Sequence, residues 1–232
     1  MGLQGKYLFP FPFPPFPFTS KLRIILVLYS SCMAKYKNRL LKKIWNLYLF
    51  DFLSGKKHLD ARYKLPTQAY RLACIELDLL WSAGIRGIIL DLDNTIISED
   101  DRYISPGAEA WIQQASSAGF KFFILSNGKR HYRVKFWSNR LGVPAINPAK
   151  KPFPFAFRKA LRYMKLKPKQ VIVIGDSRHT DMLGAWLVGC PFIQVATLPH
   201  PFRWWEKLFG KRVQTPYPQG HELWDNEYYY DK

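Results

Sequence analysis

Three short apolar runs constrain this chain more than any other feature. Each ends in residues able to do chemistry. Gly87-Ile-Ile-Leu90 runs into Asp91-Leu-Asp93-Asn94-Thr95. Lys121-Phe-Phe-Ile-Leu125 runs into Ser126-Asn127-Gly128, and Val171-Ile-Val-Ile174 runs into Gly175-Asp176 and, five residues on, Asp181. Runs of this length and composition read as strands buried on both faces. The carboxylates of Asp91 and Asp93 share one face of such a strand, because strand side chains repeat with period 2. Two acids held that close repel each other unless a cation or a phosphate-handling reaction calls for them. Capping of the strand end by Asx turns is the structural alternative. Open α/β sheets bind ligands at the carboxyl edge of their strands, where all three polar clusters fall.

A lysine pair, Lys150-Lys151, precedes Pro152 and lies between the second and third clusters. Acid pair, hydroxyl, lysine and second acid pair, in that order, resemble the four motifs of the haloacid dehalogenase superfamily of phosphohydrolases over roughly residues 61 to 200. The resemblance implies a three-layer α/β/α, Rossmann-like core with a mainly parallel sheet, its strands near 86–91, 121–125, 143–146, 171–175 and 192–196. Helices are expected near 106–119 and 130–141.

The same resemblance implies a chemistry. Asp91 would attack phosphorus to form an aspartyl-phosphate, and Asp93 would protonate the leaving alcohol and later activate water. Ser126 and Lys151 complete the catalytic set. Thr95, Asn127 and Gly128 are expected to hold the substrate or the turn beside it. Mg2+ is the implied cofactor, with oxygen ligands from Asp91, the backbone carbonyl of Asp93, and Asp176. Asp181 would act on the metal through a water, or orient the lysine. Lys151 is favoured over Lys150 because the family lysine directly precedes a proline. Thr180 is open to two readings, as helix cap or ligand contact, and His179 reads as a solvated loop residue. Cys32, Cys74 and Cys190 lack zinc-finger spacing.

About 30 residues separate Thr95 from Ser126, and fewer separate Ser126 from Lys151. Neither interval can hold a folded cap domain. The site is therefore expected to open at the sheet edge, which favours a phosphate displayed on something large.

The net charge is +18 and aromatic residues make up 16% of the chain. A surface so basic attracts polyanions. Lys129 to Arg140 and Lys150 to Lys169 hold no acid; they read either as solvated helix faces or as anion guides beside the catalytic edge. Within residues 1–33 the stretch 8–18 alternates Phe and Pro, and the segment is expected to be a low-complexity or disordered extension, or upstream sequence. Residues 34–60 open on a basic amphipathic helix suited to a membrane interface or to packing on the core. Residues 201–232 repeat basic and aromatic residues before a tail that is expected to be mobile.

Finer details of the motifs resemble the YqeG-type, subfamily IIIA phosphatases, a capless group similar to the mitochondrial phosphatidylglycerophosphate phosphatase. Ser177, where a longer polar side chain is expected, departs from that pattern. The resemblance implies hydrolysis of phosphatidylglycerophosphate to phosphatidylglycerol. Expected partners are a phospholipid substrate and an anionic membrane surface, with no specific nucleic acid, in a cytoplasmic, peripherally membrane-associated protein. A phosphoprotein or nucleic-acid end is the alternative substrate, and a non-catalytic membrane- or RNA-binding adaptor the alternative class. Nothing in the sequence specifies the oligomeric state.

Overall fold

Alternation within the apolar runs sends successive side chains to opposite faces of one sheet, and each face gathers its own core. A computed structural model describes residues 65–198. The Phe/Pro segment, the basic helix expected from residue 34 and the aromatic stretch from residue 202 lie outside the described residues. The strands are β1 (Gln68–Ala69), β2 (Gly87–Leu90), β3 (Lys121–Leu125), β4 (Ala145–Ile146), β5 (Val171–Gly175) and β6 (Phe192–Val195). They form a six-stranded sheet in the order β1-β6-β5-β2-β3-β4, with every neighbouring pair parallel. The helices are α1 (Leu77–Ser82), α2 (Ala108–Ser117), α3 (His131–Leu141), α4 (Pro154–Met164) and α5 (Leu183–Val188).

Ile88 and Leu90 of β2, Phe122 and Ile124 of β3, and Ile172 and Ile174 of β5 pack with Leu80, Trp111, Ile112 and Trp137 on one side. Ile89, Phe123, Leu125, Val171 and Val173 pack with Phe157, Ala160, Met164 and Ala185 on the other. The result is three layers, helices on both faces of a parallel sheet. Close approach fixes the second layer. A Cβ at Gly184 would fall 2.3 Å from the Phe157 ring, so α5 seats directly on α4 only because residue 184 is glycine.

Chain order reverses between β2 and β5: β3 and β4 extend the sheet one way, β6 and β1 the other. This is the switch point at which open α/β sheets bind ligands. Asp91 follows β2 and Asp176 follows β5, one on each side of it.

Two expectations shift. The strand expected over 143–146 shrinks to Ala145–Ile146, because the Val143 N–H closes α3 on the Ser138 carbonyl at 3.0 Å and Pro144 has no N–H to give. β1 was not anticipated; two residues carry no alternation signal, and pairing with β6 alone defines them. No domain is inserted between the described motifs. Between Thr95 and Ser126 stand a loop at 96–105, closed by an antiparallel bridge between Ile97 and Ile104, then α2 and β3. Among the described residues, no helix is long and apolar enough to cross a membrane.

Candidate active site

Residues from three strand ends and one helix-entry loop converge at the carboxyl edge. Asp91 is the first residue beyond β2, and its N–H still bonds the Ile174 carbonyl of β5 at 3.0 Å, which pins the two strand ends together. Lys151 lies on the loop before α4 with 2% of its side chain exposed. Its Nζ donates to Asp91 Oδ1 at 2.6 Å and to Asp181 Oδ1 at 2.7 Å. Lys150 is exposed and takes a left-handed backbone, φ 54, so the turn directs the second lysine of the pair inward.

Asp176 anchors the opposite wall. Its N–H donates to Thr95 Oγ1 at 3.1 Å and its carbonyl accepts from Gln194 Nε2 at 3.0 Å. Thr95, expected at the substrate, thus ties the loop after β2 to the loop after β5. Asn127 was expected there too. Its amide is spent instead on the Lys151 backbone, donating to the carbonyl at 3.0 Å and accepting from the N–H at 2.8 Å. Gly128 offers its N–H to Ser126 Oγ at 2.9 Å, and that hydroxyl donates to Asp93 Oδ2 at 2.7 Å.

Carboxylate oxygens of Asp91, Asp176 and Asp181 lie within 4.8 Å of one another, all three residues buried. Three buried carboxylates converging this closely form an oxygen donor set that suits a small hard cation. The electrostatics agree with the geometry. Burial drives the Asp91 carboxyl well above the usual carboxylate range, and repulsion from Asp181 and Asp176 adds to it; Lys151 opposes both. Burial also raises Asp181, offset in part by Lys151. Burial by itself would lower the Lys151 ammonium, but Asp181 and Asp91 outweigh it and hold that group above its ordinary value. One ammonium therefore faces three carboxylates, an imbalance that a divalent ion would correct. The Asp93 side chain stands apart from the trio, turned toward Ser126 and Arg133 and 23% exposed.

Residues 76–189 match the family model for haloacid dehalogenase-like hydrolases. The chain carries a haloacid dehalogenase-like hydrolase domain. It is 42% identical over 101 residues to "Probable phosphatase YqeG" of Bacillus subtilis, a match covering 44% of this chain and 58% of that protein. It is 28% identical over 95 residues to a glyceraldehyde 3-phosphate phosphatase of Pyrococcus furiosus, covering 36% of this chain and 38% of that one. The matches thus span 58% and 38% of these curated relatives. Among solved structures it is similar to the cobalt-bound deoxy-D-mannose-octulosonate 8-phosphate phosphatase of Haemophilus influenzae. The TM-score is 0.40 at 15% identity, covering 57% of this chain and 78% of that one.

Several residues around this candidate site escaped the sequence reading. Arg133, within a basic run read as a solvated or anion-guiding face, is buried and bonded to Asp93 and Asp101. Asn147 donates to the carbonyls of Gly128 at 2.7 Å and Ser126 at 3.3 Å, bracing the loop after β3. Neither reading of Thr180 describes its observed bond. Its hydroxyl donates to Asp181 Oδ2 at 3.2 Å and caps no helix; the turn 178–182 is a π segment closed on the Ser177 carbonyl. His179 Nδ1 lies 2.9 Å from Ser177 Oγ.

Proposed function

We propose that this protein is a magnesium-dependent phosphomonoesterase that works through an aspartyl-phosphate on Asp91 and acts on a lipid phosphate at an anionic membrane surface. The phosphatidylglycerophosphate-to-phosphatidylglycerol step is the proposed reaction. Asp91 is positioned as the nucleophile because Lys151 holds its Oδ1 and offsets its charge. The Ser126 hydroxyl and the Gly128 N–H, which form a hydrogen-bonded chain to Asp93, would turn to a phosphoryl oxygen when the substrate binds. Asp93, partly exposed and outside the lysine cluster, is the group free to exchange a proton with the leaving oxygen and then with water. Asp91, Asp176 and Asp181 would hold the metal, directly or through water. When bound, the cation supplies positive charge to the transferring phosphoryl group.

One observation supports the choice of substrate: among the described residues no inserted domain stands between the motifs, and the segments beside the strand ends at the carboxyl edge are basic and aromatic. Lys129, His131, Tyr132, Lys150 and Phe155 are all exposed in the segments leading from that edge into α3 and α4. Phe155 is 74% exposed and Tyr132 54%. Along α4, Phe155, Arg158, Lys159 and Arg162 line a shallow hollow. Cations with aromatic side chains suit head-group level at a bilayer surface.

The test is phosphate release from phosphatidylglycerophosphate in phosphatidylglycerol vesicles, run beside a phosphopeptide, a nucleotide and a sugar phosphate, with and without magnesium. The lipid should exceed the others in kcat/KM by at least tenfold. Equal or better turnover of a soluble substrate would overturn the lipid assignment and leave the phosphatase reading standing.

A further inference from the structure

Arg133 is a buried cation that the proposed chemistry does not yet use. It lies in the first turn of α3 with 2% of its side chain exposed. Its guanidinium donates to Asp93 Oδ1, to Asp101 Oδ1, and to the carbonyls of Ser98 at 2.7 Å and Ile97 at 3.4 Å. Burying a guanidinium costs several kcal/mol of solvation unless its partners repay it in good geometry. Here two carboxylates and two carbonyls do so. Asp101 is in turn held by Arg130 at 2.6 Å and sits in a left-handed backbone, φ 61, inside the 96–105 loop.

The consequence falls on Asp93. Arg133 holds its Oδ1 while Ser126 Oγ donates to its Oδ2 at 2.7 Å, so the carboxyl is gripped from both sides and cannot rotate freely. A permanent cation on Oδ1 leaves proton traffic to Oδ2, the oxygen beside Ser126 and Gly128, where a phosphoryl oxygen would bind.

We infer that Arg133 is a positioning residue that aims Asp93 Oδ2 at the leaving oxygen and links that aim to the 96–105 loop through Asp101. The inference rests on Asp93 being the acid–base group. In the first step the Asp91–phosphorus bond forms, the bond to the alcohol oxygen breaks, and the Asp93 proton moves to that oxygen. In the second, water attacks phosphorus and returns a proton to Asp93 as the bond to Asp91 breaks.

Leaving-group dependence tests this directly. Dinitrophenyl phosphate departs without a proton, whereas phenyl phosphate needs one. The readout is kcat/KM, which reports steps up to release of the alcohol. Arg133→Met should lower kcat/KM on phenyl phosphate by about 100-fold and on dinitrophenyl phosphate by less than about threefold, mostly in kcat in both cases. Arg133→Lys should recover part of the loss, and Asp101→Asn should show the same asymmetry at about three- to tenfold. Equal losses on both esters in Arg133→Met would overturn the inference; should that variant fail to fold, Asp101→Asn decides by the same criterion. Asp93→Asn run in parallel separates two failures. Equal losses there overturn the acid assignment and this inference together. Asymmetry there but not in Arg133→Met or Asp101→Asn overturns the inference alone.

Discussion

Gly175 and Asp181 touch so closely that a Cβ on residue 175 would lie 2.6 Å from the Asp181 carboxyl carbon. The glycine at the end of β5 therefore makes room for the acid that holds Lys151. Gly175→Ala should displace Asp181, loosen its 2.7 Å bond to Lys151 and cost about 1–3 kcal/mol in stability. Activity should fall further than stability alone explains. Denaturant titration beside kcat measurement checks this; an alanine variant as stable and active as the parent would contradict the packing.

Asp91→Asn removes the proposed nucleophile but also relieves a buried repulsion. Its carboxyl is pushed upward by burial, Asp181 and Asp176. Phosphatase activity should drop by at least about 1,000-fold, while the melting temperature of the metal-free protein stays level or rises. Calorimetry with EDTA present reads the second half. A large fall in melting temperature would mean that Lys151 depends on Asp91 more than on Asp181.

Lys151→Met should do the opposite to stability, because it strands two buried carboxylates that now share one ammonium. Breaking such a buried pair costs about 3–5 kcal/mol. Added magnesium should return part of that loss. The comparison needs only thermal melts of the variant with EDTA and with magnesium, and no recovery would argue against the trio as a metal site.

Chelation of the parent protein should abolish activity, and magnesium should restore it. At a concentration 100-fold above Kd, magnesium should stabilise the fold by about 2.7 kcal/mol, read as a rise in melting temperature. Asp176→Asn should lose most of that rise, since it removes one of the three converging negative charges. An undiminished rise would place the ion elsewhere.

The two described cysteines should differ sharply in reactivity. Cys74 is exposed; Cys190 is buried, and burial pushes its thiol up to about 12. Mapping of iodoacetamide-labelled peptides at pH 8 should find Cys74 modified and Cys190 protected until denaturant is added. The sign for stability follows. The native thiol holds its proton where the unfolded one, near 8.5, has lost it, so stability falls as pH rises from about 8.5 toward 12 and is unaffected below. A urea titration across that range checks it.

Some of this architecture was readable from residue order alone. The continuous apolar runs at 87–90, 121–125 and 171–174 were enough to infer strands buried on both faces, and the family resemblance supplied the three-layer, mainly parallel arrangement. The polar residues at each run's end pointed to the catalytic edge, because a strand that stops in Asp or Ser leaves that side chain at the sheet's rim. Local order likewise excluded a cap, since the intervals are too short to fold one.

What only the tertiary structure decided concerns partners distant in the chain. Arg133 looks like one cation among many on a basic helix, and its acids are 32 and 40 residues away. Asn127 and Thr95 look like ligand contacts until Lys151 and Asp176 arrive to use their polar atoms. Which lysine of the pair turns inward depends on a left-handed backbone at Lys150. Backbone pattern and apolar periodicity act over a few residues and can be read in sequence. Burial of charge is settled by whichever opposite charge the fold brings within 3 Å, and that is a property of the packed chain.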